Sequence, residues 1–130
     1  MGGCLTVLAT TLGTPWAIDT RGAVLFLEDV HERAYRLDRL LVQLRQAGML
    51  DHVAGVALGT FEACKPFDGV SPRDVLCDHF RDAPYPVAFG LSAGHLLAER
   101  DVRNWALPFG VEVEIDAERG TLCALEGAVT

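Results

Sequence analysis

Two residues carry the side chains and surroundings that chemistry requires. Glu28 closes the apolar run Ala23-Val24-Leu25-Phe26-Leu27, and two-residue alternation puts it on one face with Val24 and Phe26. His95 ends the loop Gly90-Leu91-Ser92-Ala93-Gly94, whose glycines allow close backbone approach. A carboxylate that accepts a hydrogen bond from one imidazole nitrogen fixes the tautomer and stabilises the imidazolium formed when the other nitrogen takes a proton. With an ordinary pKa of about 6.5, histidine is a practical base near neutrality. The third member of such a set, a nucleophile, is missing: Ser71 reads as a helix cap and Ser92 lies too close to His95 in sequence. No GxSxG elbow occurs in the chain. Position alone equally fits a strand leaving into solvent at Glu28 and Asp29, and a histidine in an ordinary surface loop.

The other reactive side chains read as structural. His31 and His52 sit among charged or turn residues, and His79 falls within an amphipathic helix. The cysteines Cys4, Cys64, Cys77 and Cys123 form no CxxC pair, so their spacing does not favour a metal site. Free, mostly buried thiols in a cytosolic chain are the expectation. Arg33, Arg36 and Arg39 suit a substrate carboxylate, but a solvated helix face pairing with Glu32 and Asp38 accounts for them. Trp105 and Phe109 suit a pocket wall, with core or interdomain packing as the plainer use.

The elements that must position Glu28 and His95 follow from periodicity. Gly2-Gly3-Cys4-Leu5 reads as a flexible turn, and residues 5–12 as a short apolar helix ended by Gly13 and Pro15. The run 23–27 is a central strand, apolar on both faces and ending at Glu28. Residues 33–47 form an amphipathic helix with Leu37, Leu40, Leu41 and Leu44 on one stripe. A second strand spans 53–58, and Ser71-Pro72 opens a helix to about Phe80. Residues 86–89 form a short strand before the His95 loop. Three more are expected at 105–107, 111–115 and 121–125, the middle one alternating Val111, Val113 and Ile115 with Glu112, Glu114 and Asp116. The order is that of an α/β domain with a small mixed sheet flanked by helices and a β-rich C-terminal tail.

Composition sets the outer limits. A chain of 130 residues with 50% apolar and 22% charged residues is one globular domain. The net charge of −7 argues against nucleic acid or an anionic membrane as partner, since both require a basic surface. No stretch approaches the roughly 20 apolar residues of a membrane helix, and no basic start with a long apolar run marks a secretory signal.

The segments GGCL (2–5), GTPW (13–16), VLFLEDV (24–30), YRLDRLLVQLRQAGMLD (35–51), VAGVALGTF (53–61) and GLSAGH (90–95) resemble, in order and spacing, the C-terminal domain of LD-carboxypeptidases. These are serine peptidases of murein recycling, with microcin-immunity peptidases among their relatives. The resemblance runs from Gly2 to about residue 115. It implies a swivelling-type β/β/α domain and a Ser-Glu-His triad in which Glu28 and His95 are the second and third members. The serine would come from a separate N-terminal domain of the same protein. It further implies release of terminal D-alanine from a murein tetrapeptide, no cofactor, a cytoplasmic setting and a homodimer. This chain departs from the family's usual pattern at Cys4, where asparagine is common, and over 96–103. On this reading residues 1–130 are the domain that supports a nucleophile held elsewhere, and the chain alone does not turn over. Two other readings are a hydrolase of peptidyl- or aminoacyl-sulfamoyl nucleotides and a non-catalytic dimerisation or binding module using the leucine stripe.

Overall fold

The computed structural model describes residues 1–96 and 103–128. Strand and helix alternate as β1 (Gly2–Cys4), α1 (Leu5–Thr11), β2 (Val24–Val30), α2 (Ala34–Gln46), β3 (Gly55–Glu62), α3 (Pro72–Phe80) and β4 (Val87–Phe89). Then comes the hairpin β5 (Val113–Asp116) and β6 (Thr121–Ala124). The first four strands form a parallel sheet in the order β1-β2-β3-β4, and the hairpin is a separate antiparallel pair. The expected mixture of strand directions is therefore divided between two sheets.

Strand order that follows chain order has a direct consequence. Right-handed crossovers that always step the same way deposit every helix on the same face. Leu5 and Leu8 of α1, Leu37, Leu41 and Leu44 of α2, and Val75, Leu76 and Phe80 of α3 accordingly join one core with Leu25, Leu27, Val56 and Leu58 of the sheet. The opposite face carries Phe26 and Ala57, covered by Ala93, Leu107, Ile115 and Leu122 from the loop and hairpin. β2 is apolar on both faces because both are covered. The leucine stripe of α2 is core: Leu37, Leu41 and Leu44 have no exposed surface. Removing one such side chain, as in Leu41→Ala, costs about 2–5 kcal/mol through lost transfer energy and the cavity left behind.

Helix starts are fixed in three different ways. Ser71 and Asp74 form a reciprocal capping box at α3, with Pro72 in the first turn. The Ala34 N–H at the start of α2 donates to the Lys65 carbonyl at 2.9 Å. α1 has no cap from its own Cys4 and takes one from β2, described below.

Three local expectations are corrected. Gly2-Gly3 is not a flexible turn but edge strand β1, in register with Phe26 and Leu27. Glycine is required there, since a β-carbon on Gly2 would overlap the Phe26 backbone, and φ is +141°. β2 does not stop at Leu27 but continues through both carboxylates to Val30, and β3 likewise extends to Glu62. Residues 105–107 are not a strand; they lie along the sheet's open face without ladder pairing. Of the departure from the family pattern at 96–103, residues 97–102 lie outside the described residues.

Candidate active site

Successive strand residues point to opposite faces, so Glu28 and Asp29 part company although adjacent. The β2–β3 register shifts between Leu27 and Asp29, an irregularity of the kind that re-aims side chains. Glu28 is 4% exposed and Asp29 2% exposed, so neither marks an exit to solvent. Both buried carboxylates are satisfied by hydrogen bonds, as burial requires.

Asp29 is spent on structure. Its Oδ2 accepts from the Thr6 backbone N–H at 3.0 Å and the Thr6 hydroxyl at 2.8 Å, capping α1 across the sheet. Its Oδ1 accepts from the Val30 N–H at 2.8 Å, with the Cys4 thiol 3.6 Å away. Sequence reasoning gave Asp29 no such duty, because its partner Thr6 lies in a different element.

Glu28 faces the other way and meets His95. Oε2 accepts from the His95 backbone N–H at 2.9 Å and lies 2.8 Å from Nδ1, while Oε1 is 3.1 Å from Nδ1. One carboxylate thus holds both the main chain and the ring of one residue. The arrangement assigns the proton to Nδ1 and leaves the Nε2 lone pair available. The imidazole is 55% exposed, and no hydrogen-bond partner for Nε2 lies among the described residues. Chemically, such an arrangement can act as a base: the carboxylate holds one ring nitrogen and the other is open.

The loop that delivers His95 is pinned along its length. Gly90 and Leu91 N–H groups both donate to the Leu58 carbonyl at 3.0 Å, and the Thr60 N–H donates to Ala93 O at 2.9 Å. The Thr60 hydroxyl reaches Ala93 O at 3.2 Å and His95 O at 3.3 Å. Asn104 Nδ2 donates to Gly94 O at 2.9 Å, and Ser92 Oγ to Arg103 O at 2.5 Å. Thr60 and Asn104 were not singled out from sequence, where a lone polar side chain gives no sign of which carbonyl it will meet.

The remaining candidates stay apart from this pair. His79 Nε2 sits 2.8 Å from Asp38 Oδ1, joining α3 to α2. Arg36 pairs with Glu32 at 2.6 Å, as a solvated helix face predicts, whereas Asp38 is taken by His79. Among the described residues no group of His, Cys, Asp and Glu could hold a metal ion, and all four cysteines are free. Burial pushes the Cys64 thiol up to about 11, and burial together with Asp29 and Glu28 raises that of Cys4. Cys4, Cys64 and Cys77 are half-buried and Cys123 is exposed. Trp105 and Phe109, 59% and 52% exposed, line an apolar cavity of about 610 Å³ between the open sheet face and the hairpin. Phe26 forms its floor, its ring 6.3 Å from that of Phe109.

Residues 1–115 match the family model described as the LD-carboxypeptidase C-terminal domain. The chain belongs to the LD-carboxypeptidase family. It is 42% identical over 124 residues to a Bacillus subtilis protein named "probable murein peptide carboxypeptidase", covering 93% of this chain and 37% of that one. Among solved structures, muramoyltetrapeptide carboxypeptidase from Oxalobacter formigenes is 40% identical with a TM-score of 0.66, covering 73% of this chain and 34% of that one. The microcin C7 self-immunity protein superposes over 100% of this chain and 38% of its own, with a TM-score of 0.82. At 24% identity that likeness establishes the shared fold. The chain therefore spans little more than a third of the length of each of these proteins. No helix among the described residues is long and apolar enough to cross a membrane.

Proposed function

We propose that this chain is the catalytic-support domain of a serine LD-carboxypeptidase that releases terminal D-alanine from murein tetrapeptides. Glu28 orients His95, and His95 Nε2 takes the proton from a serine hydroxyl supplied by an N-terminal domain, then gives it to the departing amine. The observation that carries the reading is the pair of hydrogen bonds that one buried carboxylate accepts from the His95 backbone N–H and ring Nδ1, at 2.9 and 2.8 Å. A carboxylate held at 4% exposure beside a half-exposed imidazole is the orienting half of a charge-stabilised base. The names of the family members above support a murein peptide as substrate. The reaction requires no metal or organic cofactor on this route, and the chain without its nucleophile domain does not turn over. We place the complete protein in the cytoplasm as a homodimer.

Co-expression of this chain with its N-terminal nucleophile domain should yield D-alanine from a murein tetrapeptide. His95→Ala should lower that rate by roughly three or more orders of magnitude. Full activity in His95→Ala would overturn the assignment. Offering an aminoacyl-sulfamoyl nucleotide alongside the tetrapeptide separates the two hydrolase readings; exclusive cleavage of the nucleotide conjugate would replace the murein substrate.

A further inference from the structure

Three consecutive carbonyls, those of Ala93, Gly94 and His95, face side-chain donors from outside the loop, the first and third sharing the one Thr60 hydroxyl proton. The Thr60 hydroxyl approaches the first and third at 3.2 and 3.3 Å, and Asn104 Nδ2 donates to the second at 2.9 Å. Thr60 belongs to β3 beyond the end of its pairing with β4, which stops at Leu58. From there the loop takes the place of a strand against β3, through the Thr60 N–H to Ala93 O bond. Asn104 belongs to a different segment, tied to the loop by the Trp105 N–H to Ser92 O bond at 2.8 Å and by Ser92 Oγ to Arg103 O at 2.5 Å.

A peptide plane fixed at its carbonyl has little freedom left at its N–H. Rotation about the 94–95 plane would swing the His95 N–H off Glu28 Oε2, and the ring would follow. We propose that Thr60 and Asn104 are positioning residues for His95, clamping the loop so that Nδ1 meets Glu28 and Nε2 stays open. The inference rests on the catalytic reading of His95 given above. Neither side chain reaches the reacting nitrogen; each acts through the backbone that carries it. Misplacement of a reacting group by about 1 Å can cost about a hundredfold in rate.

The test uses the complete protein, this chain with its nucleophile domain, labelled with ¹⁵N-histidine. The Nδ1–H resonance is assigned by its loss in His95→Ala. Thr60→Val and Asn104→Ala should each lower kcat about 10- to 100-fold with KM moving less than about twofold, and should broaden or abolish that resonance. Thr60→Ser, which keeps the hydroxyl, should restore both. An unchanged resonance with kcat within about twofold of the parent in both variants would overturn the proposal. Asn104 is exposed, so Asn104→Ala decides the matter even where Thr60→Val does not fold. Should His95→Ala keep full activity while the resonance depends on Thr60 and Asn104, the clamp stands and the catalytic reading falls.

Discussion

The carboxyl group of Glu28 occupies the space that a side chain on Gly94 would need. A β-carbon built there would lie 2.6 Å from Oε2 and 2.9 Å from the Glu28 β-carbon. Gly94 also has a φ of +118°, which L side chains rarely adopt. Its glycine is thus the condition for Glu28 to reach the His95 backbone at all.

Gly94→Ala is accordingly expected to act on the site first. Forcing a side chain into that backbone conformation costs about 1–3 kcal/mol, and relief comes from displacing Glu28 or the loop. Either displacement breaks the Nδ1 contact, so D-alanine release by the complete protein should fall about a hundredfold. Urea titration and steady-state kinetics on the same preparation check both effects. Unchanged kinetics in a stably folded Gly94→Ala protein would show that the close approach is dispensable.

The adjacent carboxylates should give opposite signatures. Asp29→Ala removes the acceptor for the Thr6 N–H and hydroxyl, leaving the start of α1 without its partner. That loss is worth about 1–3 kcal/mol and appears as a lower urea midpoint. Glu28→Gln keeps the size of the side chain and one acceptor oxygen for the His95 backbone N–H, so stability should change little. A Gln amide N–H can instead donate to Nδ1, which would put the ring proton on Nε2 and remove the base; activity should fall about 10³- to 10⁴-fold. Equal effects of the two substitutions on activity and stability would contradict this division.

Strand alternation puts Glu28 on one face with Val24 and Phe26, and glycines flank His95, but those local signals fit a solvent exit and an ordinary loop at least as well. The resemblance of the surrounding segments to the family is what singles out the pair. What was not legible depends on partners far along the chain. In sequence the strand reads as ending at Leu27, because two carboxylates look like an exit to water; they stay inside because Thr6 and His95 satisfy them. Gly2-Gly3 looked like a turn, since glycine signals flexibility in sequence and close contact only in space. Residues 105–107 are apolar throughout, but beyond the Trp105 N–H to Ser92 O bond no ladder forms along them.

Thiol reactivity offers a check that needs no activity. Alkylation proceeds through the thiolate, and Cys64, pushed up to about 11 by burial, supplies almost none at pH 8. Cys4 is raised for the same reason, with Asp29 and Glu28 adding to it. Cys123, exposed on the hairpin, should take iodoacetamide well before either. Peptide mapping after brief labelling measures the order. Early modification of Cys64 would mean that the core around α2 opens readily.

The sheet grows strand by strand in the order of the chain, so each new strand finds its neighbour already present. Glu28 and His95 are different: 67 residues separate them, and the clamp on His95 includes Asn104, further on still. Contacts between such distant residues form late, after the loops between them have closed. A chain interrupted between β2 and His95 therefore carries the carboxylate without the imidazole. The pair comes into being only once the loop has closed against β2 and β3, so the Glu28–His95 contact itself reports that this part of the domain has folded.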